Sequence, residues 1–351
     1  MEIFDLLGEH EHEQIVFWSE PKFGYRGIIA LHDTTLGPAL GGTRFWQYDS
    51  DLDAIIDALR LSRGMTYKAA ITGLNLGGGK SVIIGDPRTR DREMIFRAHG
   101  RAVESLGGRY ITAEDVGTSP DDMEFVGAET EHVVGMQGRS GDPSPVTAWG
   151  TFVGIKAALR HRRGSDSVEG VHVAVQGLGH VGSWLCRYLA DEGARLTITD
   201  IDARRVSEVA EECGAESVAP EQIYGVDADV FAPCALGAVV NDDTLEVLKA
   251  GIIAGAANNQ LARAEHGRIV HERGILYAPD YVINAGGLIN VFGELNDWDA
   301  ERGKHKAGEI HDTLLRIFEL ADEEGVPTAK AADELAQERI RNARHLQRSF
   351  V

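Results

Sequence analysis

The run GLGHVG, Gly177 to Gly182, follows the strand-like VHVAVQ and opens a helical pattern over Ser183 to Asp191. The next strand-like run, RLTITD, ends on Asp200, 23 residues after Gly177. Strand, glycine turn, helix and strand in that order form a βαβ unit of the dinucleotide-binding kind. Gly177 permits the tight turn, Gly179 lets backbone approach a pyrophosphate, and Gly182 allows close helix packing; the helix N-terminus attracts the negative charge. The stretch Gly177, Leu178, Gly179, His180, Val181 and Gly182 therefore reads as the phosphate loop. Asp200 reads as the carboxylate for a ribose 2′-hydroxyl, which favours NAD over NADP, although Arg204 and Arg205 stand nearby. DVFAPCA, GIIAGAAN and ILYAP continue the doubly wound pattern, and the chain from Asp299 onward reads as helical.

A chain of 351 residues is too long for one ordinary core. The stretch 135–150, GMQGRSGDPSPVTAWG, is dense in glycine, proline and serine and marks a boundary. The sequence thus divides into a substrate domain over 1–140, an NAD domain over 141–330, and a C-terminal helix over 331–351 that packs back on the first domain. The fold class expected is α/β: an N-terminal α/β domain plus a C-terminal Rossmann-type doubly wound domain, with a cleft between them. In the first half, IVFW and GIIALHD read as strands. A helix begins near Asp51, with Leu52, Ile55, Ile56, Leu59 and Met65 at helical spacing and Asp53, Asp57 and Arg60 on the other face. A second helix spans Asp91 to Leu106, RYITAEDV reads as a strand, and Ser119-Pro120 starts another helix with Asp121 and Asp122 in its first turn.

Charge and cysteine usage narrow the class. The balance of 55 acidic to 35 basic residues gives −20, which repels nucleic acid and anionic membranes. Cys186, Cys213 and Cys234 fit no paired or metal-binding pattern, as expected of a reduced chain. HEHE, His10 to Glu13, reads as a solvated helix surface rather than a metal site. The N-terminus is acidic where a secretory signal would be basic, and no run reaches the ~18 apolar residues that span a bilayer. The expectation is a cytoplasmic protein with no metal, no nucleic-acid partner and no membrane partner.

One lysine stands out. NLGGGKSVIIGD, residues 75–86, sets Lys80 behind three glycines and ahead of an apolar, strand-like run. Three glycines are entropically costly, so the chain gains from an unusual φ/ψ or from the close approach of another group. A phosphate loop of the G-x-x-x-x-G-K-[ST] type would need glycine at 74, which is Leu74, so a P-loop NTPase does not fit. From its setting alone Lys80 reads either as reactive or as a solvated surface charge.

GPALGGTRFW, GMTYKAAITGLNLGGGKSVIIGDP, YITAEDVGT, FAPCALGAVVNDDT, AGAANNQL and LYAPDYVINAGGLINV, in this order, resemble the Glu/Leu/Phe/Val dehydrogenase superfamily over nearly the whole chain. The likeness is nearest to its leucine, valine and phenylalanine branch, and within it to the leucine dehydrogenases. It implies NAD-dependent reversible oxidative deamination of an L-amino acid to a 2-oxo acid and ammonia. By resemblance Lys68 holds the substrate carboxylate, Lys80 acts on the water that attacks the imine, and Asp115 shuttles protons near the substrate nitrogen. Gly41 and Gly42 bring backbone near the carboxylate. Thr147 and Asn259 match positions near nicotinamide and substrate, and Ala235 and Asn258 match cofactor-binding positions.

The same likeness implies a side-chain pocket of Leu40, Ala113, Leu288 and Val291, all apolar, which rejects charged side chains by desolvation. Ala113 matches the aliphatic-selective members, while Leu288 also occurs in aromatic-selective ones. The expectation is leucine, with valine and isoleucine accepted and phenylalanine as the rival substrate. The remote alternatives are a P-loop NTPase and a noncatalytic NAD-binding protein. Family resemblance also implies a homo-oligomer, of the octameric kind.

Overall fold

The computed structural model describes residues 3–136 and 142–348. The chain divides into two compact units, one of Met1–Gly141, Glu294–Asp297 and Ala336–Val351, the other of Asp142–Gly293 and Trp298–Leu335. Within the glycine-, proline- and serine-rich stretch 135–150, residues 137–141 lie outside the described residues.

The first unit runs α1 (Ile3–Glu9), β1 (Gln14–Glu20), β2 (Tyr25–Asp33), β3 (Ala39–Trp46), α2 (Asp51–Ile71), β4 (Gly77–Ile84), α3 (Arg92–Glu104), β5 (Tyr110–Glu114) and α4 (Pro120–Gly127). Its sheet has the order β1-β2-β4-β3-β5. β2 is antiparallel to β1 and β4, whereas β3 is parallel to β4 and β5. One face, through Ile28, Ala30 and Val82, packs on Ala54, Ala58 and Leu59 of α2. The other, through Tyr25, Phe45 and Ile83, packs on Phe96 of α3 and on Met123 and Val126 of α4.

α2 starts where Ser50 Oγ accepts the Asp53 N–H at 3.1 Å, satisfying a helix-start donor. Its buried stripe is narrower than the large apolar residues suggest: Ile55 and Leu59 are buried, Leu52 is 42% exposed, and Ala54 and Ala58 fill the contact. The small side chains bring the helix close to the sheet.

β4 begins at Gly77, not after Lys80, so the glycines are part of the strand. None of the three has a positive φ. Close approach is the reason for them. A Cβ at Gly77 would lie 2.3 Å from the Asp33 carbonyl oxygen, at Gly78 2.1 Å from the Thr66 nitrogen, and at Gly79 2.6 Å from the Tyr110 ring. HEHE is also corrected: it is a turn and bend between α1 and β1, not a helix surface. His12 Nε2 pairs with Ser62 Oγ at 2.7 Å, and burial pushes its pKa down to about 4.

The second unit runs α5 (Ser144–Arg163), β6 (His172–Gln176), α6 (His180–Asp191), β7 (Arg195–Thr199), α7 (Ala203–Cys213), β8 (Glu216–Ser217), β9 (Val230–Pro233), α8 (Asp242–Val247), β10 (Ile252–Ile253), α9 (Ala264–Glu272) and β11 (Leu276–Tyr277). The helices α10 (Asp280–Ile283), α11 (Gly286–Leu295), α12 (Ala300–Gly308), α13 (Ile310–Glu324) and α14 (Thr328–Arg348) complete the chain. All strand pairs are parallel, in the order β11-β10-β9-β6-β7-β8. That is the doubly wound order, which reverses between β6 and β9 and opens a crevice at their carboxyl ends.

Candidate active site

Strand alternation explains much of the first unit's site. Leu40 pairs with Gly78 and Ile111, and Gly42 pairs with Ala113. Residues in register share a face, and side chains two apart return to it. Leu40, Gly42, Lys80 and Ala113 therefore lie on the face that α2 covers, where the missing Cβ of Gly78 admits the helix backbone. Gly42 is small because a Cβ there would sit 2.4 Å from the Glu114 carbonyl oxygen and 2.9 Å from Asp115 Cβ. Gly41 is tighter still, with Gly79 O at 1.7 Å from its would-be Cβ, and its carbonyl accepts the Tyr110 hydroxyl at 2.6 Å.

Lys80 is 6% exposed, and its Nζ donates to Asp115 Oδ2 at 2.6 Å. Burial lowers the pKa of this ammonium, and the attraction of Asp115 only partly opposes it. Burial also acts to raise the Asp115 carboxyl, but Lys80 and then Arg44 outweigh it and hold the group below its ordinary value. The result is a desolvated amine whose burial favours loss of its proton while the Asp115 carboxylate in contact opposes that loss. Lys68 is half-buried on α2, eleven residues after Asp57, a spacing that returns to within about 20° of the same helix face.

In the second unit the glycine loop joins β6 to α6. Gly177 has φ +95°, and a Cβ there would sit 2.7 Å from Ala235 Cβ. A Cβ at Gly182 would lie 2.0 Å from the Gly177 carbonyl oxygen, whereas Gly179 faces open space. No side chain caps α6, so its first N–H groups, from Gly179 through His180 and Val181, remain for an anion. Asp200 accepts the Leu178 N–H at 2.6 Å through Oδ2 and the Asp202 N–H at 2.9 Å through Oδ1. A cavity of about 620 Å³ opens here, lined among others by Gly177, Gly179, Asp200, Ile201, Arg205 and Ala235. Of the two nearby arginines only Arg205 lines it.

The remaining residues of this unit sit on two loops and a helix. Asn258 Oδ1 accepts from Asn284 Nδ2 at 2.7 Å. Asn259 is left-handed, with φ +50°, and its carbonyl accepts the Ala238 N–H at 2.7 Å. Thr147 Oγ1 donates to the Pro143 carbonyl at 3.0 Å. A Cβ at Gly286 would lie 2.6 Å from Thr147 Cα, so that glycine seats the start of α11 on the start of α5. Leu288 and Val291, three apart on α11, share one of its faces.

With this geometry in hand, the chain matches two family descriptions: "Glu/Leu/Phe/Val dehydrogenase, dimerisation domain" over residues 12–132 and "Glutamate/Leucine/Phenylalanine/Valine dehydrogenase" over 138–204 and 195–348. The chain belongs to the Glu/Leu/Phe/Val dehydrogenase family. It is 53% identical to leucine dehydrogenase of Geobacillus stearothermophilus over 100% of this chain and 96% of that protein. It is 47% identical to phenylalanine dehydrogenase of Bacillus thermotolerans over 97% and 92% of the two chains. The crystal structure of L-tryptophan dehydrogenase from Nostoc punctiforme superposes with a TM-score of 0.90 at 48% identity, covering 98% of this chain and 100% of that one.

As an amino-acid dehydrogenase the chain holds site residues that sequence reading passed over. Arg44 contacts Asp115 and is in turn held by Asp57, which also accepts the Tyr48 hydroxyl. The signal available was the strand GGTRFW, in which Arg44 follows Gly42 at the same-face spacing. Gln260, fully buried, donates from Nε2 to the carbonyls of Gly255 and Ala257 and so fixes the loop that carries Asn258 and Asn259. Among the described residues no cluster of metal-ligating groups occurs, and no helix is long and apolar enough to cross a membrane.

Proposed function

We propose that this dehydrogenase catalyses the NAD-dependent, reversible oxidative deamination of a branched-chain L-amino acid, leucine first and valine and isoleucine after it, to the 2-oxo acid and ammonia. The observation that carries the reading is the 2.6 Å contact between buried Lys80 and Asp115, on a face lined by apolar Leu40 and Ala113. Lys68 holds the substrate carboxylate as a point charge. Lys80, its proton loosened by burial, takes a proton from the water that attacks the substrate imine. Asp115 exchanges protons with the amino nitrogen. In the second unit the glycine loop fits a pyrophosphate, since Gly177 and Gly182 leave no room for side chains and the start of α6 is uncapped. NAD, when bound, supplies the hydride acceptor. Asp200 holds the loop through Leu178 and opposes a 2′-phosphate. Thr147, Asn258, Asn259 and Ala235 complete the cofactor side, and Leu288 and Val291 add apolar surface toward the substrate side chain. The chain works as a homo-oligomer.

The test is NADH absorbance with each of the twenty amino acids, repeated with NADP. Leucine is expected to give the highest kcat/KM, with valine and isoleucine next and NADP well below NAD. Phenylalanine or tryptophan ahead of leucine would overturn the aliphatic assignment. Nucleotide binding without turnover on any amino acid would overturn the enzymatic one.

Ala113 offers a sharper probe. Ala113→Gly removes one methyl from the face that carries Leu40 and Lys80, making room for a ring. A methyl-sized change is worth about 1–3 kcal/mol of discrimination, so the phenylalanine-to-leucine ratio of kcat/KM is expected to rise about 10-fold or more. A ratio within about twofold of the parent removes Ala113 from the side-chain pocket.

A further inference from the structure

Arg44 follows Gly42 by two residues on β3, which returns its side chain to the face of Lys80. Its Nε lies 3.2 Å from Asp115 Oδ2, the same oxygen that Lys80 Nζ contacts at 2.6 Å. Its Nη1 lies 2.7 Å from Asp57 Oδ2, which also accepts the Tyr48 hydroxyl at 2.7 Å. Asp57 Oδ1 takes Arg60 Nη2 at 3.2 Å. The Arg44 and Asp57 side chains are 21% and 15% exposed. A planar guanidinium braced on one carboxylate and reaching a second is a rigid arrangement whose charge does not titrate in the working range.

We propose that Arg44, held by Asp57 and Tyr48, is a positioning residue that acts through the Lys80–Asp115 pair: it pins the Asp115 carboxylate and keeps a fixed positive charge beside Lys80, so that Lys80 loses its proton at a lower pH. This role rests on the reading of Lys80 as the base. Asp115 by itself would clamp the proton onto Lys80, because an opposite charge in contact favours the ammonium. Arg44 spends part of that carboxylate's field by sharing the oxygen. Burial is the largest influence lowering the Lys80 pKa, and Arg44 adds to it while Asp115 and Asp57 oppose it.

The other groups around the pair do not duplicate this charge. From β2, His32 is pushed down to about 3 by burial. His99 of α3, also lowered to about 3, lies on the opposite face of the sheet with Thr43 and Ser81. From β5, Tyr110 is pushed up to about 12, and burial raises the Glu114 carboxyl. α2 contributes Asp57 and Lys68, the latter reserved in this reading for the substrate carboxylate.

The experiment uses the full chain with Arg44→Met, Arg44→Lys and Asp57→Asn. Two pH midpoints are measured: that of kcat/KM for leucine, and that of Lys80 acetylation by acetic anhydride without substrate, located by peptide mapping. Arg44→Met is expected to move both midpoints upward by about one unit, so that activity lost at neutral pH returns at high pH. Arg44→Lys keeps the charge and should leave both near the parent. Asp57→Asn keeps a side-chain oxygen that can accept from Arg44 but removes a charge of the opposite sign, so it should move both downward, which keeps the proposal testable even if Arg44→Met fails to fold. Equal loss of activity at every pH, with both midpoints unmoved, would make Arg44 a structural residue only and overturn the role. A shift in acetylation without a shift in kcat/KM would instead leave the Arg44 effect standing and refute Lys80 as the base.

Discussion

Lys80→Ala is expected to lower kcat for leucine deamination by ~10²-fold or more, the contribution of a general base, while the Kd for NAD changes less than about twofold. The asymmetry follows from placement: Lys80 belongs to β4 of the first unit, and the glycine loop, Asp200 and the uncapped start of α6 belong to the second. Folding should survive, because Asp115 keeps Arg44 at 3.2 Å as a counter-charge and is not left buried and unpaired. Turnover is read from NADH absorbance and binding by calorimetric titration. More than about a tenth of parent turnover in a folded variant would rule out the proposed base.

Gly41→Ala should be the most damaging single-methyl change in the first unit. Its Cβ would fall 1.7 Å from the Gly79 carbonyl oxygen and 2.6 Å from the carbonyl carbon, both backbone atoms of a central strand that no rotamer change can move. β3 would have to part from β4, breaking the register that sets Leu40 against Gly78 and Thr43 against Ser81. Overpacking of this kind costs about 3 kcal/mol or more, which for a domain of this size lowers the melting midpoint by roughly 6–12 °C. The Tyr110 hydroxyl bond to the Gly41 carbonyl should be lost with it. Differential scanning calorimetry and kcat/KM should fall together. A midpoint within about 2 °C of the parent would show that the strands separate cheaply there.

What the sequence determined by itself is the set of features whose physics is local. The doubly wound sheet was legible because the glycine turn, the helix after it and the acid at the end of the next strand each have a short-range cause. Ser119 announces a helix start by its own hydrogen bond and is seen capping. The chemistry expected of Lys80 came from motifs along the chain, yet its burial and its partner did not. β4 was misjudged at its start because glycines carry no alternation to read. Their reason, the α2 backbone pressing on Gly78 and the Tyr110 ring on Gly79, lies between elements far apart in the chain. HEHE misled in the same way, since what decides His12 is Ser62, fifty residues on. Only the tertiary structure put Arg44 between Asp57 and Asp115, thirteen and 71 residues away. Those contacts depend on the register of β3 between its neighbours and on how closely α2 lies against the sheet. Both are set by packing of the whole unit rather than by any local preference of the residues concerned.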